Sequence, residues 1–498
     1  MMSNKNTNKS IRKNYFYNLL YQIVALLTPL LVTPYISRVL GSSGVGQYSF
    51  SFSIVTYFVL FANLGFTYYA QREIAKHQGD TFLQSKVFWE IIILKCFTSI
   101  FSISLFFSIL FKDLFENTYF LLLEILSIEI IAVAFDVTFF FQGNEQFKTI
   151  AIRNVIIKCL GTALVFVLVK KQNDVWIFTL IQALMILVSN VLLWPKLAKC
   201  LTRVPLKELN VRQHFWPSVR LFAPTIAISV YTMLDKTLIG VFVKGYSENG
   251  LKNSDVENGY YELTEQIVKI CLTIITSLGA VMIPRNSQTL ADGDFERFKI
   301  NIYNVLRFVF FIGAPIVVGI IAVSRNFCPW YFGSDAKNYS YLMMIFSPLV
   351  LIIGISNVLG LQFLIPLNKD RQYTVSIVSG AVLNLTLNLF LIPLLWSYGA
   401  AIATVIAELL ISFLMALFAK KIIDFRIVLR SFVKPFVGSV VMFSVVFTTS
   451  FFLKSSIINT ILLVIEGIFV YFSLLFLLRD KTIIDFKDSV LSIFRRKK

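Results

Sequence analysis

TPYISRVLGSSGVGQYSF, residues 33–50, joins two long apolar runs. The first run ends on Arg38, the chain turns within a few residues, and the second restarts on a glycine-rich step (Gly41, Gly44, Gly46) followed by Tyr48. A charge and three glycines between two hydrophobic runs is no soluble-domain pattern. Working outward, about fourteen such runs follow one another from Tyr15 to Leu478, each near the ~20 residues that cross a ~30 Å hydrocarbon core. The 498 residues are 57% hydrophobic and 15% charged, against about 25% charged in a soluble domain. A membrane barrel would show alternating segments of ~10 residues, and the runs here do not alternate. The sequence therefore predicts an all-α polytopic membrane protein.

The helices expected are 15–40, 44–70, 87–111, 118–141, 149–170, 175–195, 218–243, 260–283, 301–324, 339–365, 373–393, 399–420, 433–453 and 457–478. A basic leader (Lys5, Lys9, Arg12, Lys13) precedes the first run, which is too long for a signal peptide and has no small-residue cleavage site after it, so it reads as a retained helix. An even count puts both termini on one side. Connectors on that side carry about 31 Lys and Arg, the others about 8, which makes the termini cytoplasmic and the location the cytoplasmic membrane. The +18 net charge is then mostly a topological signal. Nucleic acid is a poor partner for it, because no basic stripe is interleaved with exposed aromatics. Arg495, Arg496, Lys497 and Lys498 suit anionic headgroups. The five cysteines (Cys96, Cys159, Cys200, Cys271, Cys328) are scattered without metal-ligand spacing, so neither a metal site nor a disulfide framework is expected. His77 and His214 fall in polar connectors, with no partner that sequence can identify.

The expected organisation is a leader (1–14), a six-helix lobe (15–195), a basic connector (196–217), a second six-helix lobe (218–420), an extra helix pair (421–478) and a basic tail (479–498). An internal repeat supports it. GVGQYSFSFSIV (44–55) opens the second helix and ENGYYELTEQIV (257–268) the eighth, each with glycine one or two residues before tyrosine. Each helix ends on Leu-Gly (Leu64-Gly65, Leu278-Gly279) with an arginine beyond (Arg72, Arg285). Six helices per half is even, so the halves enter the membrane in the same sense, as a parallel pseudo-repeat around a central cavity. Pro29, Pro34 and Pro224 interrupt the first and seventh helices as kinks or gating hinges.

Residues 13–80 resemble the N-terminal signature of polysaccharide or O-antigen repeat-unit flippases, of the multidrug/oligosaccharidyl-lipid/polysaccharide exporter superfamily. The resemblance continues through FDVTFFFQGNEQFK (135–148), LDKTLIG (234–240), ENGYYELTEQIVKI (257–270) and GAVLNLTLNLFLIPLLWSYGAAIATVIAE (380–408). It implies transfer of undecaprenyl-pyrophosphate-linked oligosaccharides from the cytoplasmic to the outer leaflet by alternating access, with a polysaccharide polymerase and glycosyltransferases as working partners.

An ionisable residue at mid-bilayer costs about 2.5–3.5 kcal/mol on insertion scales and needs a partner or a role. A lipid pyrophosphate must leave the headgroup layer, and cations lining a wet cavity can replace its lost solvation. The substrate-site candidates are Lys158, Lys236, Lys95, Lys269 and Arg38, with Asn384 and Asn388 as amides for sugar or for helix–helix bonding. Lys158 has no carboxylate at i±3 or i±4 and stands out. Asp235 and Lys236 are adjacent and point about 100° apart, so they cannot pair on one face. Glu265 and Lys269, at i,i+4, read equally as a self-neutralising pair. Asp235, Glu129 and Glu265 are candidates for ion coupling. A multidrug or cation antiporter of the same superfamily would need such carboxylates but has little use for central lysines. A lipid II flippase shares the fold and the pyrophosphate. A membrane polymerase or ligase would need a long outward loop, and 244–259 is only about 16 residues. The chain carries no phosphate-binding Gly-Lys loop for ATP, and no catalytic, cofactor or metal residues are assigned.

Overall fold

The computed structural model describes residues 22, 24–110, 117–247, 250–333, 335–480 and 483. The basic leader and the terminal Arg495–Lys498 cluster lie outside the described residues. The first unit of the chain carries α1 (Val24–Val39), α2 (Gly41–Asn63), α3 (Phe66–Lys76), α4 (Thr81–Leu110), α5 (Asn117–Phe135), α6 (Thr138–Gly143), α7 (Phe147–Leu168), α8 (Val175–Val191), α9 (Trp194–Leu197) and α10 (Phe215–Phe242). There follow α11 (Asn253–Ala291), α12 (Phe295–Phe332), α13 (Ala336–Phe346), α14 (Leu349–Asn357), α15 (Asp370–Ala419), α16 (Phe425–Phe452) and α17 (Ile457–Leu477). Among the described residues the β structure amounts to one isolated bridge, Tyr246 to Lys252.

The protein is an all-α polytopic membrane protein. Nine helical stretches among the described residues are long and apolar enough to cross a bilayer, fewer than the fourteen spans expected. The difference has visible causes. Asp370–Ala419 is one of the nine, yet Trp396 (φ 54°, ψ −129°) breaks it into two helices. That break falls between the expected spans 373–393 and 399–420. Gly399 makes the bend possible, since a Cβ there would lie 2.3 Å from the Leu391 carbonyl oxygen. The helices α1, α5, α10 and α11 form as well but are not among the nine. In α11 the first half carries Glu262, Glu265 and Lys269, which dilute its hydropathy.

By contacts the chain divides into two compact units, 1–259 and 260–498. The division falls inside α11, whereas the basic connector 196–217 is where the charge pattern changes. In the first unit α2 packs on α4, α5 and α10, and α3 on α4 and α6. Its cores gather Phe66, Phe88, Phe139 and Phe141 in one cluster and Phe50, Phe106, Leu123 and Leu126 in another. Gly65 (φ 74°) caps the start of α3, just after Leu64 ends α2, and it lets α10 approach: a Cβ there would meet the Ser218 carbonyl oxygen at 2.8 Å. In the second unit α12 is the hub, against α13, α14, α16 and α17. Phe311, Met442, Leu463 and Tyr471 form that core, and the Tyr471 hydroxyl donates to the Phe311 carbonyl at 2.7 Å.

Candidate functional site

The intramembrane charges sort by what surrounds them. Lys95 is fully buried in α4. Its ammonium donates to the Asp136 backbone carbonyl at 2.7 Å and to the Asp136 carboxylate at 3.4 Å, and stands 5.4 Å from the Phe139 ring centre. Asp136 sits where α5 stops and α6 starts, and its other carboxylate oxygen accepts from the Thr138 amide at 3.0 Å. Lys95 therefore fills the gap that the helix break leaves in backbone hydrogen bonding, as required for non-helical backbone in a membrane.

Lys158 is different. It is half-buried on α7, one heptad from the buried Ala151 and Val165 on either side. Among the described residues it makes no hydrogen bond or ion pair. Asn154 and Thr162 lie at i−4 and i+4, so the three form one polar stripe along the helix, beyond Lys148, Thr149 and Arg153 of its first two turns. The Thr162 hydroxyl is buried without a hydrogen-bond partner among the described residues, and Asn154 is engaged by Arg153 at 2.7 Å.

Asp235 and Lys236 are both buried in α10, at 2% and 4% exposure. The next residue, Thr237, ties α10 to α2 through Ser53 (2.9 Å) and Tyr57 (3.1 Å). The Lys236 carbonyl accepts from Asn258 of α11 at 3.0 Å. Arg38 is exposed near the end of α1. Lys269 is half-exposed and paired with Glu265 at 2.7 Å, the i,i+4 arrangement its spacing allows. Asn388 donates to Asn384 at 3.0 Å and Asn384 to Thr404 at 3.3 Å, so the amides bond the two halves of α15 across the Trp396 break. Glu129 is buried in α5, and its Oε1 has no hydrogen-bond partner among the described residues.

Two features were hidden from the sequence. The first is a partner for His214. A carboxylate only accepts, so the 2.7 Å contact of Nε2 with Glu90 puts a proton on that nitrogen, and Tyr69 bonds to Nδ1 at 2.8 Å. Glu90 also accepts from the Asn210 amide (2.6 Å) and Gln213 (3.1 Å). This buried cluster stitches the end of the basic connector to α3 and α4. The carboxylate partner of His214 lies 124 positions away, too far for spacing along the chain to identify it.

The second is where the repeated glycine–tyrosine steps lie. Within the first unit, a Cβ on Gly46 would stand 1.7 Å from the Asp255 carbonyl oxygen, and one on Gly259 would stand 1.9 Å from that of Ser42. Each glycine thus faces the backbone of the other's helix, and α2 and the start of α11 meet backbone against backbone. Beside the crossing, the Asp255 carboxylate accepts from Tyr119 (2.5 Å) and Gln47 (3.1 Å).

A family model described as "Polysaccharide biosynthesis protein" matches residues 11–290. The chain belongs to that family. A second model, "Lipid II flippase MurJ", matches residues 255–469. The five stretches that carry the resemblance all fall within these two regions. The chain is 25% identical over 427 residues to a protein of Escherichia coli (strain K12) named "Putative O-antigen transporter", covering 83% of this chain and 98% of that one. It is 26% identical over 223 residues to "Lipid II flippase MurJ" of Bacillus subtilis (strain 168), 42% of this chain and 40% of that one. In fold it is similar to the inward closed conformation of a lipid II flippase MurJ, with TM-score 0.71, 16% identity, and coverage of 94% and 99%. An inward-facing multidrug resistance MATE family transporter of the MOP superfamily gives 0.61 at 13% identity, covering 82% and 94%.

Proposed function

We propose that this protein is a flippase. It moves undecaprenyl-pyrophosphate-linked oligosaccharide repeat units from the cytoplasmic to the outer leaflet by alternating access, for capsule, exopolysaccharide or O-antigen synthesis. The observation that carries this reading is Lys158: a cation on a polar stripe of a membrane helix with no carboxylate among the described residues to neutralise it. The insertion cost of such a charge is offset when an anion visits it. A pyrophosphate brings that anion, and charge-assisted hydrogen bonds from an ammonium replace the water it leaves. Asn154 and Thr162 extend the stripe with groups able to bond phosphate or sugar oxygens. Lys236, Lys269 and Arg38 serve the same anion at other stages of its passage, and Lys95 holds the helix break beside it. The polyprenyl tail stays in lipid, and no covalent bond changes. A polymerase and glycosyltransferases would act on the same carrier before and after transfer.

Glu129 supports a second element of the mechanism. A buried carboxylate with an unbonded oxygen is a place for a proton or a small cation, so ion coupling at Glu129, with Asp235 and Glu265, supplies the driving force. The same residue favours cation antiport as the alternative reading. The test is surface polysaccharide in cells carrying Lys158→Ala or Lys236→Ala. Export is expected to be lost while the protein is present at normal level, and unimpaired export in both variants defeats the substrate-cavity reading. If Glu129→Gln with Asp235→Asn leaves transport and its dependence on an ion gradient unchanged, coupling through these carboxylates is wrong.

A further inference from the structure

A groove of about 420 Å³ lies between the start of α7 and the junction of α8 with α9. Three cations from two segments line it: Lys148 and Arg153 of α7 and Lys196 of α9. Lys196 reaches across to donate to the Thr149 hydroxyl and stands 5.7 Å from the Phe141 ring centre. Arg153 is held in place by Asn154, Thr138 and the Ser189 carbonyl. Between and beside these cations the wall is apolar, with Ile152, Ile156 and Leu192 at 39%, 56% and 52% exposure. From Lys148 to Ile156 the helix rises about 12 Å, the length of a headgroup phosphate and the first part of an acyl chain.

We propose that this groove is a binding site for an anionic phospholipid of the adjoining leaflet. The phosphate rests on Lys148, Arg153 and Lys196, and one acyl chain lies along Ile152, Ile156 and Leu192. Charge complementarity selects the occupant: a clustered basic pocket between membrane helices at the bilayer boundary recruits anionic headgroups. The transported carrier fits less well, because apart from the three cations and Thr149 the lining is Ile152, Ile156, Leu192 and Leu193, which suits an acyl chain and not sugars. A lipid seated there joins α7 to α8 and α9 where the basic connector begins. The site rests on the membrane location of these helices and not on the flippase reading.

The test uses the full-length protein in a neutral detergent and follows thermal unfolding. Phosphatidylglycerol is expected to raise the midpoint by several degrees, and phosphatidylcholine of the same chains to leave it unchanged. Lys148→Gln with Lys196→Gln is expected to remove most of the rise, while Lys199→Gln with Arg203→Gln, the same charge loss in the exposed connector, keeps it. Ile156→Trp, which fills the wall and leaves the cations, is expected to remove it too. An equal rise in both double variants would mean a generic basic surface and overturn the proposal. So would a rise reproduced by inorganic phosphate alone, which marks a free-anion site. A rise given by undecaprenyl phosphate and not by phosphatidylglycerol would assign the groove to the transported carrier instead, and phosphatidylglycerol protection that survives Ile156→Trp would remove the acyl chain from the site.

Discussion

Lys95 and Lys158 look alike in the sequence, each a cation inside an apolar run, and the structure gives them opposite circumstances. Lys95 is locked to Asp136, so removing it strands a carboxylate and a carbonyl out of water. Breaking a buried pair from one side costs about 3–5 kcal/mol. Lys95→Met is therefore expected to lower the unfolding midpoint strongly, with partial recovery in Lys95→Met/Asp136→Asn. Lys158→Met is expected to leave the midpoint unchanged while export is lost. Thermal unfolding beside an export assay separates the two, and a Lys158→Met protein as unstable as Lys95→Met would place Lys158 among the packing residues. Sequence could find the lysines but not this difference. Helical spacing exposes partners three or four residues away, as it did for Glu265 and Lys269. Asp136 is 41 positions from Lys95, and Glu90 is 124 from His214. Such pairs form only when distant helices pack.

Among elements, the crossing of α2 with the start of α11 is the tightest contact described. Without a hydrophobic drive in lipid, helices associate through close packing, and small residues permit it. A side chain at Gly46 or Gly259 would have to displace backbone, and overpacking of this kind costs about 1–3 kcal/mol or more. Gly259→Leu is expected to spring α11 from α2 and expose Tyr119 and Gln47, whose hydrogen bonds to Asp255 would be lost. Limited proteolysis in the 244–252 connector reads this directly: faster cleavage is expected, and wild-type resistance would show that the crossing tolerates bulk. The glycine–tyrosine steps were legible in the sequence as a repeated way to start a helix. That the two steps touch was not, because a repeat says what is alike and not what is adjacent. The Trp396 break was legible through its neighbours, Pro393 and Gly399, which end one apolar run and begin the next.

At the scale of the molecule, hydropathy alone carried the fold class, since only helices or barrels satisfy backbone polar groups in lipid. The order of motifs carried the family. The boundary between compact units was harder to see. Charge pointed to the connector 196–217, whereas the contacts run on to Gly259, because Gly65 needs α10, Glu90 needs His214 and Tyr119 needs Asp255. Two split chains test this. Cutting the turn at Gly293, after α11, is expected to leave an N-terminal fragment that accumulates and resists protease. Cutting at Val204 is expected to leave one that is degraded, and equal survival of the two would return the boundary to the connector.

The same boundary governs how the protein is made. The connector is anchored at His214, yet the first unit is complete only when Gly259 has left the ribosome, 45 residues later. At about 5–20 residues per second this interval is roughly 2–9 s. During it α2 and α5 stand in the bilayer with Gly46 and Tyr119 still awaiting their partners. A quality-control protease would meet the nascent chain with its first unit incomplete then, before the second unit has entered the bilayer.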